Sequence, residues 1–464
     1  NQALAIQSNE VANWPTGPVV SAESAILMDA DTGAILYAKN IHQQEYPAST
    51  TKILTTLIAS ERCSMDEIVD FSYDAVHDID PGSNHIAIDP GEQLTMEECL
   101  NAILIRSANE VSFAVAEHIS GTTWQDFAPI MNERAKELGC VDSNFVNPNG
   151  LPNEDHYTSA YDLAMIGRAF FANEALCKMT MTHMLHILPS ERQPDDIMEV
   201  NKMELIPGGK YAYPYLVGCK TGYTDVARST LVSCAEKDGM KLICVVMKDE
   251  NPNYYEDTIT LFDYGFSNFQ RVNISQTETK YNIENAGSFY SGNDIFGNSK
   301  PILELNQTDS ITLPNTITFQ DAVSSISYDN TEPGQVAVIT YTYNDVALGT
   351  ASLDFTAAEK GSSVFRENTA ETTESAEESG ATDETQSGTT TTEADNTETT
   401  ETAGDNTGNN GGIPTVAQET SPEEENSTSG GPAVIFINVV KVFFCIVGIA
   451  VLIFLALLLR TFFK

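Results

Sequence analysis

The chain has 464 residues, with 24 Lys+Arg against 66 Asp+Glu, a formal net charge of −42. Such a length implies two or three domains plus linkers, and 41% apolar residues suffice for sizeable cores. The acidic balance argues against nucleic acid as a partner, because no basic excess is available to neutralise phosphates.

The chain begins with Asn1 rather than Met, so a processed or truncated N-terminus is expected. Residues 25–28 and 34–37 read as two strands around the turn Asp29-Ala30-Asp31-Thr32-Gly33. Residues 50–60 read as an apolar helix. Residues 95–119 place Met96, Leu100, Ile103, Leu104, Val111, Val115 and Ile119 at helical spacing, with a break near Ser107. Residues 161–171 form another predicted helix. Residues 231–235 and 241–247 are β-rich, with Asp238-Gly239 as the turn between them. Strands at both ends and helices between predict an α/β or α+β domain over 1–270.

Beyond that point the pattern changes. Residues 271–360 hold short β-prone segments at 310–313, 337–343 and 348–355, and predict a small all-β domain. Residues 361–430 carry 16 acidic side chains against the single Arg366. Few large apolar groups are present to offset the entropy of ordering, so a disordered stalk is expected. Residues 442–459 are uncharged and almost wholly apolar, and 433–440 extend the run upstream of Lys441. That predicts a transmembrane anchor over 433–459. Arg460 and Lys464, within 460–464, form a short basic cytoplasmic end. The expected location is the cell membrane, single-pass, with the folded domains before the span outside.

Eight cysteines occur without a C-x-x-C pair, so a zinc ribbon or thioredoxin-like site has no support. His183 and His186 lack further ligands at metal spacing. No metal and no cofactor is expected.

The chemistry-bearing residues form three short words. Ser49 opens the apolar helix and Lys52 follows three residues later, so one turn sets the amine beside the hydroxyl. A serine nucleophile needs such a base, and a desolvated lysine can serve. Ser107-Ala108-Asn109 places a hydroxyl and an amide where the middle helix breaks. Lys220-Thr221-Gly222 begins a β-rich segment, where the glycine admits close approach to the strand. S-x-x-K, S-D-N and K-T-G together mark penicillin-binding proteins and class A β-lactamases. The middle word here is Ser-Ala-Asn, which keeps the hydroxyl and the amide but lacks the carboxylate.

The longer words Tyr46-Pro47-Ala48-Ser49-Thr50-Thr51-Lys52, Arg106-Ser107-Ala108-Asn109-Glu110, Asn147-Pro148-Asn149-Gly150-Leu151 and Gly218-Cys219-Lys220-Thr221-Gly222-Tyr223-Thr224 resemble the serine-type D-alanyl-D-alanine carboxypeptidases, the low-molecular-mass penicillin-binding proteins. The resemblance covers roughly 15–270. It implies the serine β-lactamase/penicillin-binding-protein-like transpeptidase fold. It also implies removal of the terminal D-alanine from peptidoglycan pentapeptide stems through an acyl-enzyme, with β-lactams as covalent inhibitors. By resemblance Ser49 is the nucleophile, Lys52 its base and Ser107 a proton relay. Asn109, Lys220, Thr221, Gly222 and Tyr223 bind the substrate, with the Ser49 and Tyr223 N–H groups as the oxyanion hole.

One departure stands out. Many relatives carry an arginine some 30–35 residues past K-T-G, where this chain has Tyr254, Tyr255 and Glu256; Arg228 is a candidate substitute. Two competing readings are a β-lactamase or esterase on the same fold, told by rapid nitrocefin turnover, and a non-catalytic wall scaffold, told by failure to bind labelled penicillin. Glu97 and Asn101 form an E-x-x-L-N word that precedes Ser107 rather than following it, and read as chance on a helix. His156 and Cys219 read as structural neighbours of the motifs. Oligomeric state is left open.

Overall fold

The structure is a computed structural model and describes residues 11–281, 303–329 and 334–355. A hairpin opens it, β1 (Ser24–Asp29) and β2 (Ile35–Lys39). Its turn is held by the Asp29 carboxylate, which accepts from the Asp31 and Thr32 N–H groups. A 3-10 turn, Ala48–Thr51, runs straight into α1 (Lys52–Arg62). Then come β3 (Ile68–Asp70), α2 (Tyr73–His77), β4 (Gln93–Thr95) and α3 (Met96–Asn101). Thr95 and Glu98 cap α3 reciprocally. The predicted long helix over 95–119 is therefore split: α3 passes into a π-helical turn, Ala102–Arg106, which stops at Ser107, and α4 (Asn109–Ser120) starts afresh.

The helical layer continues with α5 (Phe127–Glu137), α6 (Ala160–Ala172) and α7 (Glu174–Met181), followed by the hairpin β5 (Met184–Ile187) and β6 (Ile197–Val200). β7 (Leu216–Thr224), β8 (Arg228–Lys237) and β9 (Met240–Asp249) return to the first sheet. Its order is β2-β1-β9-β8-β7, antiparallel at every pairing. The N-terminal hairpin is thus stitched beside the last strand, and β7 is left as an edge.

This sheet is buried on both faces, which explains its unbroken apolar runs. Along β1, Ile26 and Met28 join the core shared with α1, α4 and α6, while Ala25 and Leu27 join a second core. Along β9, Ile243, Val245 and Met247 face the first core, and Leu242, Cys244 and Val246 the second. The period of two gives each face its own set. α8 (Asn253–Asn268) contributes Leu261 and Phe262 to the second core.

The chain then runs through β10 (Phe269–Asn273), α9 (Ile274–Thr277), β11 (Leu303–Leu305), β12 (Ser310–Pro314), β13 (Val323–Ser327), β14 (Gln335–Tyr343) and β15 (Val346–Phe355). β10 pairs with β12, and the other four form a sheet in the order β11-β15-β14-β13. Ile311, Leu313, Ile339 and Tyr341 enter the same second core as α8. The Thr312 hydroxyl donates to the Asp29 carboxylate at 2.8 Å, tying the later strands to the opening hairpin.

The expected stalk, 361–430, the expected anchor, 433–459, and the basic end, 460–464, lie outside the described residues. Among the described residues no helix is long and apolar enough to cross a membrane. The longest, α8, has 16 residues, about 24 Å of helix against a hydrocarbon core of about 30 Å. It also carries Glu256, Asp257 and Asp263. The expected fold ending in a transmembrane helix, the membrane as partner and the single-pass membrane location are therefore corrected. The described architecture is an α+β transpeptidase-like fold with additional β-structure and no membrane-spanning helix.

Candidate active site

Ser49 lies half-buried on the 3-10 turn that leads into α1. The turn is bound from several sides. The Pro47 carbonyl accepts from the Thr50 hydroxyl at 2.6 Å and from the Thr230 hydroxyl of β8 at 2.9 Å. Ala48 adopts a positive φ of 49°. Gly150, itself at φ +83°, packs so tightly on Ala48 that a Cβ there would overlap the Ala48 carbonyl. The glycine of the Asn-Pro-Asn-Gly-Leu word is thus required by close approach as well as by backbone conformation.

Behind the turn, Thr51 meets His156 at 2.9 Å through Nε2. His156 Nδ1 accepts from the Val146 N–H at 3.1 Å, so Nε2 carries the proton and donates to Thr51. The ring is buried, and burial first, then the Lys52 charge, push its pKa down to about 3. It is a neutral prop.

Lys52 has no exposed surface. Its Nζ donates to the Asn109 Oδ1 at 2.7 Å, the Asn149 carbonyl at 2.6 Å and the Ser49 Oγ at 3.2 Å. Those three acceptors use all the donors an ammonium offers. Burial first, and the Lys220 cation second, hold Lys52 well below the ordinary lysine value, with Glu110 opposing. A lysine so depressed gives up its proton readily, as a base beside a serine must.

The second word is placed by the π-helical turn. It leaves Ser107 in the left-handed region, φ 63°, at the mouth of α4. Such turns often accompany functional positions. Asn109 starts α4 and faces Lys52. The third word lies on edge strand β7. Lys220 is buried and its Nζ donates to the Ser107 Oγ at 3.1 Å and the Thr221 carbonyl at 2.9 Å. Burial lowers its pKa to about 8, with Cys219 opposing. A Cβ on Gly222 would come within 2.7 Å of the Ser49 nitrogen and 2.5 Å of the Thr230 hydroxyl. The bare glycine lets the strand lie against the turn that bears Ser49.

Ser49, Lys52, Ser107, Asn109, Lys220 and Gly222 are therefore drawn together from three separate stretches of the chain. Thr221 is half-buried beside them. The Tyr223 side chain is 58% exposed and its phenol donates to Asp225 at 3.2 Å. Arg228 is engaged elsewhere, with Nε and Nη2 on the Glu250 carboxylate at 3.0 and 2.7 Å. Its guanidinium carbon stands 6.0 Å over the Tyr223 ring. His186 pairs with Asp196 at 2.7 Å, and Asn101 donates to the Glu97 carbonyl one helical turn back. The serine, two lysines and asparagine can attack a carbonyl, accept the proton and pass it to a leaving group.

Sequence reasoning missed the roles of the Asn149 carbonyl, Thr51 and Thr230. Asn149 had a signal, since a turn word ending in glycine places its carbonyls by backbone geometry. Thr51 and Thr230 had none, being common residues in a helix and a strand.

Residues 11–251 match the family model for D-alanyl-D-alanine carboxypeptidases. The carboxypeptidase DacF of Bacillus subtilis is 37% identical over 252 residues, covering 54% of this chain and 63% of that protein, a little under two thirds. DacB2 of Mycobacterium tuberculosis is 32% identical over 263 residues, covering 54% and 84%. Among solved structures, the D-alanyl-D-alanine carboxypeptidase of Mycobacterium tuberculosis superposes with a TM-score of 0.50 at 28% identity, covering 56% of this chain and 96% of that one. Penicillin-binding protein 6B of Escherichia coli gives 0.54 at 25% identity, covering 75% and 99%.

Proposed function

The chain belongs to the D-alanyl-D-alanine carboxypeptidase family, and from that premise we propose that it is a serine-type enzyme removing the terminal D-alanine from peptidoglycan pentapeptide stems. The observation that carries the reading is the lysine-to-serine contact, Lys52 Nζ 3.2 Å from Ser49 Oγ, inside a fully buried amine environment.

The stem peptide lies along the Lys220–Tyr223 stretch of β7, an edge strand that among the described strands pairs only with β8. Ser49 Oγ attacks the penultimate D-alanine carbonyl and its proton passes to Lys52. The backbone N–H groups of Ser49 and Tyr223 hold the developing oxyanion. The proton returns through Ser107 to the departing D-alanine amine, with the Lys220 cation steadying the relay. Lys220 and Thr221 also receive the terminal carboxylate, and Asn109 orients both the stem amide and Lys52. Water then cleaves the ester. β-Lactams enter by the same attack and leave slowly.

The test is D-alanine release from diacetyl-Lys-D-Ala-D-Ala, with labelled penicillin as a second readout. The wild-type chain is expected to release D-alanine and take up one label, and Ser49→Ala to do neither. Rapid nitrocefin turnover with no D-alanine release would favour a β-lactamase instead.

A further inference from the structure

A second group of reactive side chains lies at the opposite ends of the helices that carry the site. Cys63 caps α1 at its C-terminus, about 16 Å along the helix from Lys52 at 1.5 Å per residue. His118 is in the last turn of α4, the helix that begins with Asn109. Glu67 precedes β3 and reaches between them. One ligand atom from each, a sulfur, a carboxylate oxygen and a ring nitrogen, all lie within 4.8 Å of one another. His118 Nε2 meets Glu67 Oε2 at 2.9 Å, and Glu67 Oε1 accepts from the Ser64 N–H at 2.7 Å. All three side chains are half-buried.

We propose that Cys63, Glu67 and His118 bind a divalent transition metal of the zinc class, with water as fourth ligand, and thereby clamp α1 to α4. Thiolate, imidazole and carboxylate are the three donor types that zinc accepts. Around a tetrahedral ion with bonds of about 2.0–2.3 Å, donor atoms stand roughly 3.3–3.7 Å apart. For the ion to enter, the widest separation must shorten and the 2.9 Å His118–Glu67 contact must open. Both helices end at the site, and the negative ends of their dipoles favour a cation there. The Ser64 N–H bond fixes one carboxylate oxygen and leaves the other for the metal, the kind of outer support that orients a ligand. Without metal, burial and the Glu67 charge hold the thiol proton on. Binding expels it: the sulfur–hydrogen bond breaks, the sulfur–metal bond forms, and one proton enters solvent. His118 ligates through Nε2, which gives up its contact with Glu67 and leaves the ring proton on Nδ1. The distance from Lys52 makes the site a structural clamp, outside the reaction.

The experiment uses the full chain, freed of metal by a chelator and titrated with Co2+. A thiolate-to-cobalt charge-transfer band is expected at one equivalent and is displaced by Zn2+. Cys63→Ser abolishes the band, and Glu67→Gln and His118→Ala weaken binding about tenfold or more. Zn2+ raises the melting temperature of the wild type and leaves that of Cys63→Ser unmoved. Labelled penicillin confirms that each variant is folded. An unaltered band in Cys63→Ser overturns the proposal, as does a wild type showing neither band nor melting shift with micromolar metal.

Discussion

The Lys220 ammonium donates to the Ser107 hydroxyl over 3.1 Å, although 113 residues separate the two in sequence. Lys52 holds Ser49 and Asn109 in the same region. Two buried lysines thus share one site, and the Lys220 charge discourages that of Lys52. The amine that must accept a proton and the cation that must keep one are assigned by surroundings.

The pH profile of acylation follows from that division. In the proposed mechanism Lys52 must be neutral to act, so the rate rises as pH climbs through its lowered pKa. Lys220 must keep its charge, so the rate falls again as pH passes about 8. A bell with its alkaline limb near 8 is expected from stopped-flow acylation by a penicillin. Lys220→Arg, which stays protonated throughout, removes that limb from whatever activity remains. Lys52→Ala loses the base and lowers the rate by about 10²–10⁴.

Gly222→Ala sets a methyl against the Ser49 nitrogen and the Thr230 hydroxyl. The strand and the nucleophile turn must part to admit it. A stability loss of about 1–3 kcal/mol is expected, typical of an overpacked site. Penicillin labelling is expected to fall far more than that loss explains, measured at a temperature where the variant is fully folded. Unchanged labelling would mean that the Ser49 N–H does not bind the oxyanion.

His156 makes the fold acid-sensitive. Its pKa is depressed to about 3 in the folded chain, against about 6.5 when unfolded. Below 6.5 the unfolded chain binds a proton that the folded one refuses, so this contribution is whole above 6.5. It is lost as pH falls toward 3, at a slope approaching about 1.4 kcal/mol per unit. Urea unfolding of wild type and His156→Gln across pH 4–7 isolates it. The variant is expected to show the flatter acid limb, and equal slopes would remove His156 from the account.

Much of the fold was legible in the residues themselves. The apolar runs at 25–28 and 241–247 mark strands because both faces of their sheet are covered. The break at Ser107 was visible as polar residues interrupting a helical period. The three words were legible because their spacing reflects local geometry: one helical turn from Ser49 to Lys52, one helix start at Asn109, one strand at Lys220. The predicted span at 433–459 lies outside the described residues, and among those residues no helix is long and apolar enough to cross a membrane.

Sequence by itself determined which residues are candidates for the chemistry and in what local arrangement, because side-chain type and short spacing survive without a fold. Only the tertiary structure decided who meets whom. The Asn149 carbonyl on Lys52, the Thr230 hydroxyl on Pro47, the bare face of Gly222 against Ser49 and the engagement of Arg228 by Glu250 are all long-range contacts. They arise from packing α1 among α4, α5 and α6 while β7 and β8 lie against the turn that precedes it. No periodicity along the chain records them.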